Sequence, residues 1–193
     1  MQQSRTTQAN GAGSGKPPRI PLDYRHTKQI DSLYQMANER DSRNAQKIRV
    51  TRDAQGNILS TIIKENLAHL NIHSPKTPFD WRVSINNERK VESQLPPGFE
   101  LRSERKKDRM TYLHQHIQVD LTQVINVHLI RIQLMKPAEK EKSHELEVEL
   151  RDIDKLKMEA ENAKMGKESK YEELIRVFVD NVRLLARSGA NTN

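Results

Sequence analysis

The sequence predicts an α+β domain dominated by antiparallel sheet. Three observations predict it. Short segments between residues 47 and 150 alternate apolar with polar or charged residues, turn-forming residues separate them, and beyond Leu150 the apolar spacing changes to a helical one. The elements follow in order. Residues 1–22 (MQQSRTTQANGAGSGKPPRIPL) hold little that could be buried and read as a disordered leader. GAGSGKP within that leader does not make a P-loop, because Pro17 stands where Ser or Thr is needed and no strand precedes it. KIRVTR (47–52) and ILSTIIK (58–64) flank DAQGN, a hairpin connection. DWRVSINNE (80–88) follows SPKTPF, whose prolines suit a loop, and LPPGFE (95–100) is a further break. RKKDRMTYL (105–113) and HIQVDLTQV (116–124) make a second hairpin. NVHLIRIQL (126–134) reads as another strand, and KPAEKEKS (136–143) as a solvated loop before the strand HELEVEL (144–150). Residues 152–164 read as helix, and Gly166 separates them from KYEELIRVFVDNVRLLAR. There Tyr171, Leu174, Ile175, Phe178, Val182 and Leu185 share one helical face. The expected domain is 23–188, with a frayed tail at 189–193.

Composition narrows the class. The chain has 193 residues, 34% hydrophobic, 31% charged and 4% aromatic, which implies a thin core and large polar faces. A net charge of +7 points to a polyanionic partner, with nucleic acid the leading class. There is no cysteine, which excludes disulfides and thiolate zinc sites. No apolar run has membrane-spanning length and no signal-peptide core stands at the start, so an intracellular protein with no membrane partner is expected.

The informative pattern is ionic rows on single strand faces. Glu145, Glu147 and Glu149 alternate with Leu146, Val148 and Leu150. Arg105, Lys107, Arg109 and Thr111 share a face; so do His116, Gln118, Asp120 and Thr122, opposite Ile117, Val119 and Leu121. Arg82, Ser84, Asn86 and Glu88 alternate with Trp81, Val83 and Ile85. An ordinary half-exposed sheet gives such alternation strand by strand, with its polar face in water. The segregation of sign from strand to strand favours a barrel with a polar lumen, in which acidic and basic rows face one another. Carboxylates there could ligate a hard divalent cation while Lys and Arg take phosphate oxygens, the chemistry of metal-assisted phosphoanhydride hydrolysis. His69 and His73 in HLNIH read as structural, since zinc needs three or four ligands, and HELEV does not complete H-E-x-x-H.

HELEVEL, ERKKDRMTYLH, VDLTQV, SPKTPFDWRVSINNE and HTKQIDSLY together resemble the fungal mRNA-capping RNA 5'-triphosphatase, the beta subunit of the capping enzyme and a member of the triphosphate tunnel metalloenzymes. The likeness runs from about Tyr24 to about Arg187. It implies an antiparallel tunnel that removes the γ-phosphate of nascent RNA with Mg2+ or Mn2+. It further implies a nuclear location and a capping guanylyltransferase as partner, and it leaves a homodimer open. Carried over by motif, Glu149 would ligate metal with Glu145 and Glu147 supporting it, and Lys107, Arg109, Arg49 and Lys64 would hold the triphosphate. Glu88 would orient the attacking water, and Asp120 with Thr122 would form the polar pair of the D-x-T strand. Two positions depart from the family. Gln118 replaces its usual arginine, and no Glu-x-Glu strand precedes Arg49, where Glu39 is the only glutamate. Glu139 and Glu141 fall in the lysine-rich loop, and Glu159 and Glu161 in helix. The expected tunnel is therefore incomplete. Two rival readings remain, a non-catalytic module that binds RNA or a capping partner, and a tunnel enzyme for small triphosphates.

Overall fold

A computed structural model describes residues 4–5, 20–36, 46–77, 79–91, 95–128 and 141–189. Its strands are β1 (Ser4–Arg5), β2 (Asp23–Met36), β3 (Lys47–Asp53), β4 (Ile58–Ile72), β5 (Trp81–Lys90), β6 (Phe99–His114), β7 (Ile117–His128) and β8 (Glu141–Leu150). They are followed by helices α1 (Ile153–Lys164) and α2 (Tyr171–Ser188). The long strands form one sheet in the order β5-β4-β3-β2-β6-β7-β8, and β1 pairs with β2. Every pairing is antiparallel. The result is a half-barrel with two C-terminal helices, as the alternating segments and the late change of period predict.

Sequence reading did not single out β2, yet it lies at the centre. It pairs with β6 from Asp23↔Leu113 to Met36↔Phe99 and with β3 from Gln29↔Asp53 to Gln35↔Lys47. Three boundaries also move. β4 continues past Lys64 to Ile72 against β5. β7 runs through to His128, so the separation expected between 124 and 126 is absent; Val124, fully buried, and Ile125 stay in register with Lys107 and Lys106. β8 begins at Glu141, three residues inside the expected loop, because Glu141 to Ser143 pair with Asn126 to Val124. Ser4 and Arg5, within the expected leader, pair with Arg25 and Tyr24. Glu39, Glu139, residues 129–134 and the end of the tail lie outside the described residues.

The apolar core sits on the convex side of β2–β4. Ile48, Val50 and Ile63 are buried there under Tyr34, Val91, Leu95 and Phe99. Each such aliphatic side chain contributes roughly 1.5–3 kcal/mol on burial. Asp152 caps α1 by accepting the Lys155 N–H at 3.0 Å. Gly166, at φ +68°, makes the left-handed turn that ends it, a conformation that costs glycine little. Among the described residues no helix is long and apolar enough to cross a membrane.

Candidate active site

Strand register decides which rows meet. Lys107 lies between Gln29 and Val124, Arg109 between Thr27 and Thr122, and Thr111 between Arg25 and Asp120. Thr122, Asp120 and Gln118 in turn stand beside Glu145, Glu147 and Glu149. Cross-strand neighbours share a face. On the other wing Arg49 neighbours Ile62, and Lys64 neighbours Glu88. Thr51↔Asp31 and Asp31↔Arg105 join the two wings through β2. All ten residues singled out from sequence therefore occupy one face of the sheet.

That face is concave. At the open side of the sheet a groove of about 1190 Å³ is lined from one wing by Lys64, Asn66 and Asn86, and from the other by Glu145, Glu147 and Glu149 together with Leu146 and Val148 of the opposite β8 face and Phe178 and Val182 of α2. Lys64 and Glu149 are five strands apart in the sheet order, yet the Lys64 charge acts on the Glu149 carboxyl. Only a curled sheet brings them within range.

The glutamate row faces arginine. Arg105 pairs with Glu145, and Arg109 places Nη2 3.5 Å from Glu147. Arg109 also donates from Nε to the Thr122 hydroxyl at 3.1 Å and sets Nη1 3.2 Å from Asp120. Asp120 is 1% exposed and accepts from Thr111 at 2.6 Å and from Gln118 at 3.0 Å. This geometry makes Asp120 and Thr122 the fixture that aims Arg109. On the opposite wing Glu88 sits 3.3 Å from Arg49 Nη2 and 3.4 Å from Lys64 Nζ. Arg49 Nε is buried with no hydrogen-bond partner among the described residues, a donor suited to an anion bound on this face.

Sequence reading missed Asp31, which holds Lys107 at 2.5 Å and accepts from Thr51 at 2.8 Å. Burial pushes its carboxyl up, but the Lys107 ammonium and the Thr51 hydroxyl outweigh burial and hold it below the ordinary carboxylate range. Burial among basic neighbours lowers Lys107 despite Asp31. Arg105 was visible in its row but had been given no role. The available signal was parity, since HTKQIDSLY puts Thr27, Gln29 and Asp31 on one face.

Glu149 differs from its neighbours. Burial, then the Glu147 and Asp120 charges, raise its carboxyl above the ordinary range, with Lys64 and Arg109 pulling the other way. It forms no ion pair among the described residues, so it is the point on the row where a cation would be most favoured. Carboxylate oxygen is the right donor for a hard divalent ion. However, among the described residues no three His, Asp or Glu side chains converge as a complete site would require. The row can supply part of a coordination shell.

A curled antiparallel sheet whose concave face sets Arg and Lys among carboxylates defines a half-barrel of the tunnel type. The family model for the mRNA capping enzyme, beta chain, matches residues 2–190, and the chain belongs to that family. The mRNA-capping enzyme subunit beta of Schizosaccharomyces pombe is 36% identical over 90% of this chain and 54% of its own length. That of Cryptococcus neoformans is 30% identical over 89% of this chain and 40% of its own. The chain thus spans about half the length of these relatives. Among solved structures, the S. pombe Pct1 RNA triphosphatase superposes with a TM-score of 0.73 at 35% identity, covering 89% of this chain and 61% of that one. Pct1 has also been solved in complex with the Spt5 CTD, matching with the same TM-score at 34% identity.

Proposed function

We propose that this chain carries the triphosphate-binding and hydrolytic face of an mRNA 5'-triphosphatase, which releases the γ-phosphate of nascent RNA during nuclear cap formation. The carrying observation is the concave face, where Lys107, Arg109, Arg49 and Lys64 converge from both wings of one curled sheet. Basic side chains on opposite walls can grip successive phosphates of one chain and stabilise charge that develops as the terminal phosphate leaves. Glu88, held by Arg49 and Lys64, is read as the carboxylate that would orient water, and its two ion pairs support that reading. Glu149, with Glu145 and Glu147 along the same strand, is where the chain would hold Mg2+ or Mn2+, which when bound would neutralise phosphate oxygens. Triphosphate-ended RNA is then the substrate and a capping guanylyltransferase the partner. Binding of the Spt5 CTD by Pct1 makes that segment a further partner to test.

The test is equilibrium binding of inorganic tripolyphosphate and triphosphate-ended RNA, with γ-phosphate release measured alongside in Mg2+ or Mn2+. Arg109→Ala should weaken triphosphate binding by about 1.5–3 kcal/mol, since each lost contact is charge-assisted. If that variant keeps both affinity and turnover, the phosphate site lies elsewhere. A second reading, a module that binds without hydrolysing, is favoured by one observation, that Glu145 and Glu147 are already neutralised by arginine. Tight triphosphate binding with no phosphate release at any metal concentration, even in a version extended by a Glu-x-Glu strand, would select it.

A further inference from the structure

Beyond Ile63, β4 loses its pairing with β3 and has only β5 beside it among the described residues. Lys64 to Ile72 and Trp81 to Glu88 therefore form a two-stranded ribbon that continues from the phosphate site. Its two faces differ. Ala68/Ile85, Leu70/Val83 and Ile72/Trp81 pair on one, and Asn66/Asn86, His69/Ser84 and Asn71/Arg82 on the other. The second set lies on the Lys64/Glu88 side, and Asn66, Asn86, Ser84 and Arg82 line the same groove as Lys64 and the β8 glutamates.

We propose that this polar face is the track for the RNA chain, holding the ribose-phosphates that follow the 5'-triphosphate. The inference rests on the reading of the concave face as a triphosphate site and extends it to the polynucleotide. Four points argue for it. Between Glu88 and Asp80, whose carboxylate is already taken by His73 and the Ser74 N–H, this face holds amides, a hydroxyl, an imidazole and a guanidinium, which suit phosphate and 2'-hydroxyl groups. The side chains are tied in place across the ribbon, and although Asn66 spends both its N–H groups there, on Ala68 and Asn86, the Arg82 guanidinium is not saturated. Asn66 donates to Asn86 at 3.0 Å, and Arg82 spends one of its N–H groups on Asn71 at 2.7 Å. Glu88 lies six residue steps along the strand from Arg82, roughly 20 Å, which is room for several nucleotides but far longer than a triphosphate. At the far end Phe79, 49% exposed, lines the same groove, where a base could stack.

The experiment is fluorescence anisotropy with a short 3'-labelled RNA carrying either a 5'-triphosphate or a 5'-hydroxyl, with inorganic tripolyphosphate as competitor. Arg82→Ala combined with Asn71→Ala should weaken binding of both RNAs about tenfold, as loss of a charge-assisted contact predicts. The salt slope should fall by about 0.7, the value for one phosphate contact on a single strand. Inhibition by tripolyphosphate should stay within about twofold, and Arg82→Lys should recover most of the RNA affinity because it restores the charge. Unchanged RNA binding in the double variant would overturn the track. So would equal weakening of RNA and tripolyphosphate at an unaltered melting temperature, which would place both residues in the triphosphate site. If the double variant melts lower, Arg82→Gln against Arg82→Lys decides, and equal RNA affinity in these two overturns the track. Failure of tripolyphosphate to bind the unmodified chain would overturn the triphosphate reading instead, and the 5'-hydroxyl RNA would still decide the track.

Discussion

Asp31 and Glu149 are two carboxylates on one face with opposite electrostatic circumstances, and each difference makes a prediction. Asp31 is 2% exposed and faces Lys107, itself 8% exposed. Removing one charge of a buried pair strands the other, so Asp31→Asn should destabilise the fold by about 3–5 kcal/mol at neutral pH. The folded carboxyl ionises below its unfolded range. Its stabilising share is therefore present above the unfolded value and is lost as pH falls through the lower folded one. Urea unfolding of both proteins from pH 7 to pH 3 should show the gap narrowing on acidification. A gap that widens would mean that Asp31 is not held ionised by Lys107. Glu149 is the reverse case, raised by burial and by Glu147 and Asp120. Its contribution is present at low pH and is lost as pH rises through the raised folded value. Glu149→Gln should therefore be neutral or stabilising at pH 7, by at most about 1 kcal/mol for a partly solvated charge. The same variant should lose Mn2+ binding measured by titration calorimetry. A variant that melts well below the parent yet still binds Mn2+ would contradict both halves of the argument.

At the scale of elements, the strands that could be read in advance are those with one apolar face. HELEVEL, HIQVDLTQV and DWRVSINNE alternate because one face is hydrophobic and the other ionic, and the structure keeps that parity throughout. β2 hid because neither of its faces is apolar. Asp31 and Ser32 are both buried, yet each is held by polar partners, Lys107 and Thr51 for the first, Arg52 and Glu104 for the second. A periodicity search weighs hydrophobicity and gives such a strand no weight. Asp31 was missed as a functional residue for the same reason. The register that brings Lys107 beside it needs a strand not yet assigned. The helices were legible from spacing, but the joint between them was not. Glu159, 9% exposed, accepts the Lys170 N–H at 2.8 Å through its carboxylate, and its backbone carbonyl accepts from Ser169 Oγ at 2.6 Å. It thus satisfies the Lys170 N–H at the start of α2 from another helix, while Ser169 Oγ accepts the next one, from Tyr171, at 3.1 Å. Glu159→Ala should cost about 1 kcal/mol, as loss of a cap does, seen as a lower urea midpoint with an unchanged slope. An unshifted midpoint would mean that water replaces this contact without penalty.

At the scale of the whole molecule, the ionic rows expected to face a lumen share one face of a curled sheet, and the groove between its two wings is lined by apolar as well as charged side chains. Among the described residues β5 and β8 end the sheet without pairing to each other. That arrangement bears on catalysis in two ways. A divalent cation needs several oxygen ligands, and among the described residues Glu149 alone on its row is free of an ion pair while no three acidic or imidazole groups converge. A groove open between two edges also admits water, and a higher dielectric weakens the hold of Arg49, Lys64, Lys107 and Arg109 on phosphate. Edges of ten residues each, unpaired among the described residues, further favour association between chains. The 193-residue chain by itself is therefore expected to bind triphosphate weakly and to release little or no γ-phosphate. A version extended by a strand with Glu-x-Glu alternation, the feature the family resemblance implies for the first strand, should gain activity by supplying two carboxylates and closing the gap at once. The two effects separate by substitution. Gln-x-Gln in that strand should restore triphosphate affinity through closure but not turnover, whereas Glu-x-Glu should restore both. Phosphate release from triphosphate-ended RNA in Mg2+ or Mn2+ decides among these proteins. Robust turnover by the unextended chain would show that its own carboxylates suffice, and the ligand-count argument would fall.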